Sequence, residues 1–266
     1  MKIVHFNSGL GNQIFQLMLV RYFEDKGKCV RGYYNKKWLQ QHNGLEVYKV
    51  IEGTIPPATI ISNIIVAICR LFHRFDKKGV LFSSDNNFNK NSVYYSGYWQ
   101  DRCYFEHLPK PSFKKFNLSE KNKIIEQKIK MSQSVSIHIR RGDYLSKEII
   151  TKMGNICTLN YYTRAITIIK EKIDSPYFFV FSDDINWAKS NFHEKNMHFI
   201  DWNTGKDSYL DMYLMAQCKA HIIANSSFSF WGAYLSNENL ITIYPAKWYN
   251  HQQSPNIAPD NWIPIS

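Results

Sequence analysis

Between residues 135 and 244 the chain alternates short apolar runs with stretches of helical spacing, and this rhythm restricts the fold more than any other feature. The runs at 135–139, 177–181, 197–200, 221–224 and 240–244 are rich in β-branched and aromatic residues and predict strands. The segments 159–172, 184–192, 209–218 and 227–235 predict helices; Asp183 or Asp184 is placed to cap the second, and Pro245 stops the last strand. Strands alternating with helices form β-α-β units around a parallel sheet. Helices then cover both faces, which accounts for strands that are apolar throughout.

The first half is less regular. A strand at 2–6 runs into the loop Asn7-Ser8-Gly9-Leu10-Gly11-Asn12-Gln13, and a helix continues to about Lys26. Residues 28–34 and 93–99 predict further strands, whereas Pro56-Pro57 and the polar 83–92 mark loops in a stretch from Trp38 to Ser92 that has no clear pattern. Charged and polar residues from 110 to 130 separate two apolar regions, so two Rossmann-like α/β domains are expected, at 1–130 and 131–266. Ligands of such sheets bind beyond the carboxyl ends of the strands. Each conspicuous motif of this chain lies at such an end.

Composition narrows the classes. With 44% hydrophobic and 15% aromatic residues the chain is an ordered globular protein, and its net charge of +11 implies anionic partners. Five scattered cysteines without a C-x-x-C pair suggest reduced, mostly buried thiols rather than a disulfide framework or a zinc site. No signal peptide opens the sequence. The run from Ile60 to Phe72 is too short to span a bilayer, which takes about 20 residues. Followed by His73, Arg74, Lys77 and Lys78, it reads as a buried helix with a basic last turn, or as a helix lying on an anionic membrane surface; the buried reading is favoured.

Four segments carry chemistry. In His138-Ile139-Arg140-Arg141-Gly142-Asp143-Tyr144, two arginines follow a strand and a glycine permits a tight turn. Arginine offers a planar fork to phosphate oxygens and keeps its charge, which suits a departing diphosphate; the pair also fits a bridge to surface carboxylates. The loop at Gly9–Gly11 brings backbone N–H groups to a helix start, but Ile14 stands where a dinucleotide fingerprint needs glycine, and a plain tight turn fits equally. In Phe181-Ser182-Asp183-Asp184 a carboxylate can accept from guanine N1–H and its amine, or cap a helix. In Asn225-Ser226-Ser227-Phe228-Ser229-Phe230-Trp231-Gly232 hydroxyls and free N–H groups make a phosphate seat, with aromatic residues that read as core rather than base-stacking. No D-x-D spacing occurs, so arginine and helix N-termini, not a metal, are expected to neutralise phosphate.

Taken in order, these segments resemble the α-1,2-fucosyltransferase family, glycosyltransferase family 11. The resemblance rests on Gly9–Gln16 as G-L-G-N-Q-x-F-Q, on Gly97-Tyr98-Trp99-Gln100 with Tyr104-Phe105, and on the His138, Phe181 (with Trp187) and Asn225 segments, and spans nearly the whole chain. It implies a GT-B fold with two Rossmann-like domains facing a cleft, and inverting, metal-independent transfer of L-fucose from GDP-fucose to a galactose 2-hydroxyl. It implies that Arg140 grips the β-phosphate with Arg141 nearby, that His138 and one of Asp183 or Asp184 read guanine, and that Ser226, Ser227 and Phe228 contact phosphate. Gly11 and Asn12 serve the donor from the other domain, and Asp143 orders the arginine loop. Related α-1,6-fucosyltransferases place a glutamate base ten residues after the motif histidine, the position of Glu148 here. No cofactor is implied beyond the donor substrate. The partners are a galactose-containing glycan and, at most, an anionic membrane in peripheral contact, in a bacterial cytoplasmic setting. A GT-B enzyme using GDP-mannose and a basic nucleic-acid-binding protein remain alternatives, the latter without a recognisable nucleic-acid module.

Overall fold

The computed structural model describes residues 1–34, 43–76 and 78–266; Trp38, which opens the unassigned stretch, and Lys77 of the basic flank lie outside them. The chain divides into two compact units, Met1–Lys114 and Lys115–Ser266. Among the described residues all strand pairings within the two sheets are parallel.

In the first unit β1 (Lys2–Phe6) leads into α1 (Leu10–Asp25), β2 (Val30–Tyr34), α2 (Ile60–Phe72), β3 (Phe82–Ser83) and β4 (Tyr94–Tyr95), with sheet order β2-β1-β4-β3. Side-chain alternation along β4 assigns its faces. Tyr94 packs with Ile3, Val66 and Cys69 under α2, whereas the Tyr95 ring lies 4.7 Å from Phe23 of α1. The strand expected at 93–99 shrinks to two residues. Asp85 accepts from the backbone N–H of Tyr98 (2.8 Å) and Trp99 (2.6 Å), and Trp99 turns to φ 59°, so the ladder ends at Tyr95. β3 ends at Ser83, the first residue of the segment expected as loop, and a two-residue strand carries no periodic signal.

The second unit runs α3 (Glu120–Lys130), β5 (Ser134–Ile139), α4 (Leu159–Lys172), β6 (Tyr177–Ser182), α5 (Ile185–Asn191), β7 (Met197–Ile200), α6 (Tyr209–Gln217), β8 (Ala220–Ile222), α7 (Ser227–Tyr234), β9 (Ile241–Pro245) and β10 (Ile263–Ile265). Its sheet order is β10-β9-β8-β5-β6-β7. Val135, Ile137 and Ile139 of β5 join Phe178 and Val180 of β6 beneath α4 and α5, while Phe179 and Phe181 point the other way, onto Ile125, Ile129, Leu214 and Met215 of α3 and α6. Each such buried side chain contributes roughly 1.5–3 kcal/mol.

Three expectations are corrected here. The boundary falls at Lys114/Lys115 rather than 130/131, because α3 buries Ile125 and Ile129 in the second unit. β9 is not the last strand: β10 pairs with it, and Pro264 is tolerated because β10 is an edge. And β5 is not apolar on both faces: Ser134, Ser136 and His138 are buried opposite the aliphatic residues, and Ser136 Oγ lies 2.8 Å from His221 Nδ1. All five cysteines are free, but Cys29 and Cys103 are exposed rather than buried.

Candidate functional site

The strand order of the second unit places a site. From β5 the chain moves to one side through β6 and β7, then returns on the other through β8, β9 and β10. β5 and β8 are neighbours, so the connections leaving their carboxyl ends diverge, and the gap between them is where doubly wound sheets bind ligands. The connections that leave these two ends carry the arginine and serine segments.

Arg140 follows β5 directly. Its guanidinium lies 2.9 Å from Asp143 and 3.0 Å from Asp183, with the Tyr144 ring 5.6 Å away. Burial opposes its charge, but Asp183 and then Asp143 outweigh it and hold Arg140 above its ordinary pKa. Asp183 does more than pair with it. Its carboxylate also accepts from the N–H groups of Arg141 (2.8 Å) and Gly142 (3.1 Å), so the end of β6 hooks the loop after β5. A Cβ at Gly142 would lie 2.9 Å from Asp183 Oδ2, and glycine is the residue that leaves room for this hook. Asp184 caps α5 by accepting from Trp187 N–H (3.2 Å), and it also accepts from Arg141 Nε (3.2 Å); the Arg141 guanidinium sits 4.1 Å over the Trp187 ring. The sequence presented arginine–carboxylate pairing and ligand binding as rival readings of these residues; the fold shows the pairing.

His138, the penultimate residue of β5, is 6% exposed, and its buried Nδ1 has no hydrogen-bond partner among the described residues. Burial, and secondarily Arg140, lower its pKa to about 3, so the imidazole is neutral at any working pH. Its ring is 5.4 Å from that of Phe228, and Tyr162 donates to its backbone carbonyl at 3.1 Å. Across the gap, Ser226 precedes α7 and no side chain caps that helix. The N–H groups of Ser227 and Phe228 in its first turn have no carbonyl one turn earlier to bond. Phe230 and Trp231 are fully buried core residues, whereas Phe228 is half-buried beside His138. Glu148 is exposed and makes no hydrogen bond or ion pair with the described residues.

Two residues outside the sequence-derived set tie the site together. Tyr144 donates to the carbonyl of Asn225 (2.9 Å), and the Asn225 amide donates to the carbonyls of Met153 (3.1 Å) and Trp248 (3.0 Å). Arg140, Arg141, Tyr144, Cys157 and Asn225 line a cavity of about 170 Å³. Both residues stand in the quoted motifs, but their partners are too distant in sequence to suggest a role. Among the described residues no group of three or more His, Cys, Asp or Glu side chains is placed to hold a metal ion.

In the first unit α1 begins at Leu10, so Gly11 and Asn12 lie in its first turn rather than in a loop. Asn12 donates to Ser8 Oγ (3.0 Å) and accepts from Gln100 Nε2 (2.9 Å), and Gln16 Nε2 bonds the Asn7 side chain and the Gly97 carbonyl, both at 3.0 Å. The glutamines thus join the ends of β1 and β4, the switch point of this sheet. Gln13 Oε1 accepts from Glu46 N–H (2.8 Å), fixing a buried carboxyl that burial raises to about 7, against hydrogen bonding from Asn43 and the charge of Lys49. Nothing in the sequence pattern distinguishes Glu46 from a surface glutamate.

Comparison with known proteins places this geometry in a lineage. The profile of glycosyl transferase family 11 matches residues 70–266. An alpha-1,2-colitosyltransferase of Escherichia coli is 36% identical over 291 residues, covering 99% of this chain and 98% of that protein. The chain belongs to glycosyl transferase family 11. The O-antigen biosynthesis glycosyltransferase WbnK of Escherichia coli is 36% identical over 134 residues, 50% of this chain and 44% of WbnK. Galactoside 2-alpha-L-fucosyltransferase SEC1 of Bos taurus is 28% identical over 117 residues, 43% of this chain and 31% of that protein. The family-11 chain is therefore a glycosyltransferase, built of two Rossmann-like units that each carry a parallel sheet.

Proposed function

We propose that this glycosyltransferase moves L-fucose from GDP-fucose to the 2-hydroxyl of a galactose residue in an oligosaccharide or lipid-linked glycan, inverting the anomeric carbon without a metal. The observation that carries the reading is Arg140, a guanidinium fixed by two carboxylates at the carboxyl end of β5, beside the uncapped start of α7.

The acceptor oxygen bonds to C1 while the bond from C1 to the β-phosphate oxygen breaks, and the electron pair leaves with GDP. Arg140, with Arg141 nearby, takes the growing phosphate charge, and the N–H groups and hydroxyls of Ser226, Ser227 and Phe228 share it. Neutral His138 reads guanine from the end of β5, beside the Phe228 ring. Of the two aspartates, Asp184 retains more open acceptor capacity than Asp183, which already serves three donors. Asp143 orders the loop, and Glu148, exposed and without a partner among the described residues, takes the hydroxyl proton.

A second reading is favoured by the 36% identical colitosyltransferase, because colitose is L-fucose without its 3-hydroxyl. Incubation of the purified protein with GDP-fucose, its 3-deoxy analogue or GDP-mannose, and a panel of galactose-terminated oligosaccharides, followed by linkage analysis, separates these. An α-1,2-fucosylated product is expected. Turnover of the 3-deoxy donor with GDP-fucose inert would install the second reading, and turnover of GDP-mannose alone would remove both.

A further inference from the structure

The helix α2 does not do what a buried helix does. It seats Ser62, Val66 and Cys69 against the first sheet and leaves Ile60, Ile61, Ile64, Ile68, Leu71 and Phe72 exposed. At 3.6 residues per turn these six side chains fall within one arc of about 120°. Ile60 is 79% and Leu71 69% exposed, and Phe75, in the turn that follows, 79%. The favoured expectation of a buried helix is thereby corrected.

The face is held outward. Thr59 and Ser62 form a capping box, Ser62 Oγ donates to the Gly32 carbonyl (3.2 Å), and Arg70 reaches the Tyr94 hydroxyl (3.0 Å) above the Tyr33 ring. These anchors sit on the opposite side of the helix and fix its rotation.

The charges around the face select its partner. His73, Arg74 and Lys78 are exposed just beyond the helix, and the sequence adds Lys77. Asp76 is the sole carboxylate between residues 60 and 84 in the sequence, and its oxygens are bonded to the N–H groups of Val80, Leu81 and Phe82. A second copy docking here by a twofold axis would bring two such cationic, carboxylate-poor patches together in a chain of net charge +11, which disfavours that occupant. Branched aliphatic residues beside cations suit acyl chains beneath anionic headgroups. No described helix is long and apolar enough to cross a membrane, so the contact is peripheral.

We infer that α2 and the basic segment after it dock the protein on an anionic phospholipid surface, with the Ile60–Phe72 face in the acyl boundary. This inference stands independently of which sugar is transferred. The full chain is tested by co-sedimentation with vesicles rich in phosphatidylglycerol and with vesicles of phosphatidylcholine alone. Binding at least about tenfold stronger to the anionic vesicles is expected, and Ile61→Glu with Ile68→Glu should weaken it by about tenfold or more. Thermal unfolding checks that this variant is folded, and Ile61→Ser with Ile68→Ser replaces it if it is not. Absence of binding by the wild type, equal binding by the folded variant, or a wild-type dimer that the variant disperses would each overturn the inference.

Discussion

Arg140 holds its charge between two carboxylates before any phosphate arrives, so its orientation is set in advance and its fork, not its charge alone, is what the reaction would use. Arg140→Lys is therefore expected to lower kcat by about 10²–10³ with the fold intact, read by steady-state kinetics and circular dichroism; near-normal turnover would remove the centre of the mechanism. Gly142→Ala tests the hook. The added methyl would meet Asp183 Oδ2 at 2.9 Å and push it from the two N–H groups it holds. A loss of about tenfold in kcat/KM is expected from this single methyl group, and unchanged kinetics would mean that the hook has no part in catalysis. Glu148→Gln separates base from bystander: a base loses about 10² or more in kcat with KM for donor steady, whereas retained turnover would clear Glu148 of that role. The motifs around Arg140 were legible because strand ends and side-chain chemistry are local. The hook was not, because Asp183 lies 42 positions beyond Arg141 and meets it only once the intervening chain has folded.

At the scale of elements, α3 is held to the second sheet by more than Ile125 and Ile129. Asn122 accepts from Trp202 Nε1 (2.7 Å) and donates to Asn203 (2.9 Å), which in turn donates to Asp211 of α6 (2.8 Å). Burial raises Asp211 to about 7, against the hydrogen bond from Asn203. The native state therefore favours the protonated acid. Its contribution is complete below the unfolded carboxyl pKa, about 4, and is lost as pH rises through about 7. Asp211→Asn should leave stability unchanged at the acid end and raise it by about 1–3 kcal/mol at pH 8, read by urea unfolding; a variant less stable at pH 8 would contradict this account. The strands of this sheet were legible because helices bury both faces, leaving long apolar runs. α3 was read as a polar spacer, since its inward face presents two isoleucines and an asparagine, and β10 was hidden by Pro264.

At the scale of the whole molecule, the family profile gives glycosyl transfer, and the choice of sugar rests on chemistry within one family. The proposed neutralisation of phosphate by Arg140 and the start of α7 gives a plain expectation: EDTA should leave the transfer rate within about twofold, since that mechanism uses no carboxylate-held divalent ion. Complete loss of activity with EDTA would refute metal independence.

The sheet order has a further consequence. β5 has β6 on one side along its full length and β8 on the other, so its amides open only when the second unit opens. Hydrogen exchange there should be among the slowest in the chain, approaching the rate set by global unfolding. Arg140, the group proposed to bear the reaction's charge, is thus tethered to the most durable strand of its sheet.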